Sequence, residues 1–308
     1  MAVIKTELLK KIYGKKCVLD SVSFEIEKGD IVGYLGPNGS GKTTTINIIT
    51  GLLKATDGKA ELLGYNVERD YSKLFGKIGI LFDDNGLYER MTVKQNLDYY
   101  LDLFGENKNL DVDYRNKLFN QMNYEEISNL EVKQLSKGMK RMVGLVRALM
   151  LEPEVLILDE PFDGIDLENR SKFIKLIKEY HISKNPAVIL TSHVMDDIKQ
   201  LANRIIVIKK GKKLVDCSMD DFKNLAISKK YRVIFNSEKE ANKFADFCMS
   251  KDMSCDVKCR DVNISISSDD DIKSLLDLSK SEFRDFYEDY QEIDEIYLNL
   301  IQSQQTEG

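Results

Sequence analysis

Apolar and polar residues alternate with period two over Ser21–Glu27 (SVSFEIE), which predicts a strand, and Asp30–Leu35 (DIVGYL) forms a second, more continuously apolar run. Lys28-Gly29 separates them as a turn. After Leu35 a glycine cluster leads into Lys42–Leu53, where Ile46, Ile49 and Leu53 recur at helical spacing. The local order is strand, loop, helix. Farther along, short apolar runs at Lys77–Phe82, Val155–Leu158, Ala187–Thr191 and Ile205–Ile208 alternate with helical patterns at Thr92–Phe104, Gly138–Leu151 and Leu167–Ile182. That alternation predicts a largely parallel sheet with helices on its faces.

Beyond Leu225 the pattern restarts. A strand at Tyr231–Phe235, a helix at Glu238–Met249, strands near Cys255–Lys258 and Asn263–Ser267, a helix at Asp271–Ser279, the segment Phe283–Tyr287 and a helix at Ile293–Ile301 predict a small α+β appendage of split-βαβ type. The expected division is a domain over 1–225 and an accessory domain over 229–308. A chain of 308 residues with 43% hydrophobic content has room for both cores. The first part is nearly neutral, with 34 basic against 33 acidic residues, and the second carries 11 against 18. Neither resembles a nucleic-acid-binding surface, so no nucleic-acid partner is expected. The apolar runs are far shorter than the ~18 residues of a membrane span. Five cysteines, an odd number in a chain too long to need disulfides, fit a reducing cytosol.

Gly36-Pro37-Asn38-Gly39-Ser40-Gly41-Lys42-Thr43 fits G-x-x-x-x-G-K-[ST] and lies between a predicted strand and a predicted helix, the context that gives the pattern meaning. Glycines let successive backbone N–H groups turn toward phosphate oxygens, the helix start adds its positive end, and Lys42 adds a charge for the β- and γ-phosphates. Thr43 offers a hydroxyl to Mg2+.

Further elements follow in order. Leu135-Ser136-Lys137-Gly138-Met139 opens a helix with apolar residues at Met139, Met142, Val143, Val146 and Leu149. Leu156-Ile157-Leu158-Asp159-Glu160 ends an apolar strand in two carboxylates, at the edge where α/β sheets bind ligands. Phe162-Asp163-Gly164-Ile165-Asp166 comes next, and Thr191-Ser192-His193 follows another apolar strand, so His193 reaches the same edge. With Tyr13 near the N-terminus and Asp83 in Ile78–Asn85, these residues resemble the ATP-binding cassette (ABC) ATPases across 1–225, in particular transporter subunits of the drug and antibiotic-peptide exporter type.

The resemblance implies an α/β P-loop NTPase fold with a mixed sheet core, an antiparallel β subdomain and a helical subdomain, followed here by the small α+β domain. It implies a site in which Glu160 orients or deprotonates water while Lys42 and His193 stabilise charge on the γ-phosphate. Thr43 and Asp159 would hold Mg2+, Thr44 would join the phosphate loop, and Tyr13 would stack on adenine. Ser136, Gly138 and Asp166 would face the nucleotide of a second protomer, so a homodimer enclosing two ATP molecules is expected. The sequence departs from the commonest pattern at Lys137 and Met139, where glycine and glutamine are usual, at Asp163, where serine is usual, and at Asp83, where a glutamine usually touches Mg2+ and the attacking water. Asp83 is expected to reach the metal shell through water.

A separate membrane permease is the implied partner, docked on a helical subdomain over 85–130 where Tyr88, Tyr99, Tyr100 and Phe104 offer anchors, with the chain peripheral at the cytoplasmic face of the membrane. The alternative is a soluble cassette ATPase acting on ribosomes or DNA. Ribosome-acting members usually carry two cassettes, and chromosome-type members separate the phosphate loop from the acidic pair by a long coiled coil. Here there is one cassette, with only about 120 residues between Lys42 and Asp159.

Overall fold

The computed structural model describes residues 2–104, 110–225, 229–250, 253–266, 283–289 and 293–303. These fall into two compact units, Met1–Met219 and Asp220–Gly308. In the first, β1 (Ala2–Tyr13) and β2 (Lys16–Glu27) form an antiparallel hairpin, and β3 (Ile31–Leu35) leads through the glycine loop to α1 (Lys42–Ile49). The chain then returns through β4 (Asp57–Leu62) and β5 (Tyr65–Asn66), giving an antiparallel sheet of order β2-β1-β4-β5.

The strands β6 (Ile78–Leu81), β7 (Val155–Leu158), β8 (Ala187–Ser192), β9 (Arg204–Lys209) and β10 (Lys212–Ser218) join β3 in a second sheet of order β10-β9-β3-β8-β7-β6. Only the β9–β10 pair is antiparallel, so this sheet is mixed but largely parallel, as the alternation of strands and helices predicts. Every residue of β3, β7 and β8 is buried, the pattern of parallel strands covered on both faces. Burying each of these large aliphatic side chains contributes roughly 1.5–3 kcal/mol.

Between β6 and β7 run the helices α2 (Val93–Phe104), α3 (Val112–Gln121), α4 (Tyr124–Ile127) and α5 (Lys137–Leu149). Then α6 (Leu167–Lys184) links β7 to β8, and the short α7 (Met195–Ile198) follows β8. Capping at α6 is explicit in sequence: Asp166 accepts from Asn169 N at 2.9 Å at its start, and Asn185 takes a left-handed conformation at its end.

Two boundaries differ from the periodicity reading. The helix expected to reach Leu53 stops at Ile49, because Gly51 adopts φ 73° against Tyr71 and Val67, leaving Leu52 61% exposed. The hairpin strands are longer than the alternating stretch because register shifts, with Leu8 and Ser21 at positive φ, move side chains from one face to the other and interrupt period two.

In the second unit, β11 (Lys229–Phe235), β12 (Ser254–Lys258), β13 (Asp261–Ile266) and β14 (Phe283–Asp289) form an antiparallel sheet of order β12-β13-β11-β14, the strand order of a split βαβ fold. Tyr231, Val233 and Phe235 alternate along β11 and share a core with Ala241, Ala245 and Cys248 of the helix Glu238–Ser250. The helix Ile293–Ser303 closes the unit's described chain. The expected helix at Asp271–Ser279 lies outside the described residues.

Candidate active site

Parallel pairing gathers four strand ends at one edge of the second sheet. Leu35 lies opposite Ser192, Leu158 opposite Leu190, and Leu81 opposite Leu158. The segments following these strands therefore converge: the glycine loop, Phe82-Asp83, Asp159-Glu160 and His193.

Within the loop, Ser40 N donates to Pro37 O at 3.1 Å and Lys42 Nζ donates to Gly36 O at 2.8 Å. Gly41 caps α1 with φ 110°, and a Cβ there would lie 2.6 Å from Leu19 Cδ2 and 3.1 Å from Val18 O, so the position requires glycine. Ser40 Oγ is buried without a hydrogen-bond partner among the described residues. A cleft of about 340 Å3 opens here, lined by Asn38, Gly39, Gly41, Lys42, Thr43 and Thr44 on one side and by Asp83, Glu160, Asp163 and His193 on the other.

The two carboxylates after β7 sit in different surroundings. Asp159 is buried and accepts from Thr191 Oγ1 at 2.6 Å. Burial pushes its carboxyl up from the usual range, while hydrogen bonds from Thr191 and Thr43 pull it back. Glu160 takes φ 44°, a left-handed conformation costing on the order of 1–3 kcal/mol, and its N–H donates to the same Thr191 hydroxyl at 2.8 Å. This turn aims its carboxylate at the loop: Oε1 lies 3.2 Å from Lys42 Nζ and Oε2 lies 3.0 Å from His193 Nδ1, which donates because a carboxylate only accepts.

Arg141, on α5, is the polar residue that pattern reading missed. It is fully buried. Its guanidinium donates to the carbonyls of Phe82, Asp83, Asp159 and Glu160 and to Asn85 Oδ1, and it lies 3.6 Å from Asp83 Oδ1. One side chain thus ties the segment after β6 to the acidic turn after β7. A detectable signal was available, a charged residue set within the apolar face of a helix between Met139, Met142 and Val143. Asp83 itself is 71% exposed and borders the cleft with Thr43.

Ser136, Gly138 and Asp166 form a second grouping. Ser136 Oγ accepts from Met139 N at 3.2 Å as the cap of α5, and a Cβ on Gly138 would approach Asn169 Nδ2 to 3.1 Å and Asp166 Oδ2 to 3.4 Å. Asn169, unremarked in sequence, also donates to Asp166 Oδ2 at 2.7 Å. These three residues do not line the phosphate cleft. Two of the departures from the common pattern meet each other: Lys137 Nζ donates to Asp163 Oδ2 at 2.7 Å. Tyr13 stands opposite Lys16 in the hairpin register, half exposed, with the Lys11 ammonium 5.1 Å from its ring centroid. It is not part of the cleft lining, although Lys16 is.

A family model described as ABC transporter matches residues 19–163. The ABC transporter ATP-binding protein YcbN of Bacillus subtilis is 36% identical over 228 residues, covering 71% of this chain and 70% of its own. The bacitracin transport ATP-binding protein BcrA of Bacillus licheniformis is 33% identical over 221 residues, covering 72% and 71%. The chain belongs to the ABC transporter ATP-binding protein family. Its fold agrees: the solved dimeric bacterial ABC transporter cassette MJ0796 superposes with a TM-score of 0.63 at 26% identity, covering 70% of this chain and 98% of that one.

In this ABC ATP-binding protein the donor set fits a nucleotide triphosphate with a hard divalent cation. Thr43 and Asp159 border the same cavity, and oxygen donors of this kind suit magnesium. The unpartnered Ser40 hydroxyl and the buried Lys42 ammonium supply donors suited to phosphate.

Proposed function

We propose that this ABC protein binds ATP with Mg2+ in the cleft and hydrolyses it, as the ATPase half of a transporter whose permease is a separate chain. The observation that carries the reading is the convergence on Glu160: one oxygen 3.2 Å from Lys42 Nζ and the other 3.0 Å from His193 Nδ1. Lys42 and His193 fix the carboxylate beside the phosphate loop, where it acts as the group that orients and deprotonates water. Thr43 and Asp159 would hold Mg2+, which when bound would neutralise charge on the phosphate oxygens. Lys42 and His193 stabilise charge developing on the γ-phosphate, while Thr44 and the loop amides hold the triphosphate and Tyr13 stacks on adenine.

Ser136, Gly138 and Asp166 complete the site of a second copy, in a homodimer that ATP closes and phosphate loss opens. The dimeric cassette among the solved relatives supports this arrangement. For coupling, the cleft of about 610 Å3 lined by Leu52, Tyr71, Phe75, Tyr100 and Phe104 offers an apolar seat for a permease segment, and it borders Asp83. Tyr88 and Tyr99 are exposed beside each other, whereas the Tyr100 hydroxyl accepts from Arg147 at 3.1 Å. Likeness to a bacitracin transport protein supports the transport reading, in which the chain serves an exporter at the cytoplasmic face of the membrane. Among the described residues no helix is long and apolar enough to cross a membrane.

The test is uptake of ATP by the purified chain with and without Mg2+, followed by its co-purification with a membrane protein from detergent-solubilised membranes. Failure to bind Mg-ATP overturns the nucleotide reading, and recovery with ribosomes instead of a membrane protein overturns transport. A narrower test concerns Asp83. Its exposed carboxylate, on a loop held by Arg141 at the cleft edge, is expected to act on the metal shell through water. Asp83→Ala should raise the Mg2+ concentration for half-maximal turnover by about tenfold. Unaltered Mg2+ dependence and turnover would remove Asp83 from the site.

A further inference from the structure

The first residue of α5 is a cation paired with a residue that lines the phosphate cleft of its own protomer. Lys137 Nζ donates to Asp163 Oδ2 at 2.7 Å. The lysine's stem lies over Gly164, whose φ is 67° and where a Cβ would meet Lys137 Nζ, Cδ and Cε at 2.5–2.7 Å, so a larger residue there would displace the ammonium. Asp163 in turn borders the cleft with Lys42, Glu160 and His193. Its carboxyl is held below the usual carboxylate range, chiefly by the Lys137 hydrogen bond, with Arg141 and His193 adding to it. An ionised carboxylate at that edge opposes entry of a polyanion. A cation in contact with that carboxylate cancels much of its field.

The geometry points to Lys137 and Asp163 as a charge-balanced pair that sets how tightly the cleft of the same protomer holds a nucleoside triphosphate. Lys137 is the neutralising and positioning member, acting through Asp163. The inference rests on the reading of the cleft as an ATP site, and it adds a duty for α5 within its own subunit, beside the role proposed for Ser136 and Gly138 toward a second copy. It also accounts for two departures from the common family pattern as one compensated change.

A merely structural bridge and a charge-balancing pair differ in sign. Losing either end of a structural bridge weakens binding or stability in both single variants. With charge balance, Lys137→Ala bares an anion and should raise the Kd for ATP about three- to fivefold, whereas Asp163→Asn bares a cation and should lower it by a similar factor. The double variant should return to within about twofold of the wild type, which is the coupling a double-mutant cycle reads. Both shifts should shrink toward 1 M salt, where the Debye length is about 3 Å. Both side chains are half exposed, at 55% and 50%, so the variants are expected to fold.

The measurement is a titration of the full chain with a fluorescent ATP analogue and Mg2+, at low and high ionic strength. Shifts of opposite sign that cancel in the double variant support the pair. Shifts of the same sign, additive shifts or no shift in the single variants overturn it while leaving the ATP site standing. A wild-type chain that takes up no analogue overturns the ATP reading itself, and the pair with it.

Discussion

Glu160→Gln is expected to bind Mg-ATP about as tightly as the wild type and to hydrolyse it at least about 100-fold more slowly, the scale of losing a general base. Glutamine keeps the length of the side chain, and its carbonyl oxygen can accept from Lys42 while its NH2 donates to a neutral His193 ring, so the cleft keeps its shape. What it loses is the negative charge that draws a proton from water. The backbone at 160 is already in a left-handed conformation, and glutamine meets the same steric terms there as glutamate, so folding should be little affected. Removing the charge beside Lys42 and the γ-phosphate should also prolong the ATP-bound dimer. Size-exclusion chromatography with ATP should show a dimer that the wild type forms only transiently, and steady-state phosphate release measures the lost turnover. A variant with normal turnover would take Glu160 out of the role.

The second large effect belongs to Arg141. Replacing it with methionine, close in length and apolar, strips hydrogen bonds from the carbonyls of Phe82, Asp83, Asp159 and Glu160 and from Asn85 at once. Unsatisfied buried acceptors each cost about 1–3 kcal/mol, but part of the loop is near solvent, so a net destabilisation on the order of 3 kcal/mol is expected. For a unit of this size that corresponds to a fall in Tm of roughly 6–12 °C. Turnover should fall further than stability explains at temperatures where the variant remains folded, because the Glu160 turn loses the group gripping its carbonyl. Thermal unfolding by circular dichroism, with ATP turnover measured well below the transition, separates the two. An unchanged Tm would mean that water replaces the guanidinium.

The parts of the site visible in sequence are those whose chemistry is written in consecutive residues. The glycine loop needs Gly41 at φ 110° against Leu19, and Lys42 and Thr43 follow it in the chain, so a spacing pattern suffices to find them. Asp159 and Glu160 were legible because two carboxylates directly follow an apolar strand, and His193 because it follows another. The helix end at Ile49 was misplaced because Leu52 and Leu53 extend the apolar pattern past the point where Gly51 turns the chain. Hairpin lengths were short for a related reason, since a bulge reverses which residues face the core and destroys the alternation that periodicity detects.

Local pattern was thus enough for β3 and β6 to β9, for α1, α2, α5 and α6, for the phosphate loop and for the acidic pair, because each depends on residues that are neighbours in the chain, whereas β4, β5, β10, α3 and α4 were not read from it. Folding alone determined that Thr191 bridges Asp159 and Glu160, that Arg141 clamps two loops from across the sheet edge, and that Lys137 meets Asp163. Those contacts join residues 18 to 59 positions apart. The Thr191 and Arg141 contacts arise because a buried charge or hydroxyl must find its partners in space, and which partners arrive is set by how parallel strands bring their ends together.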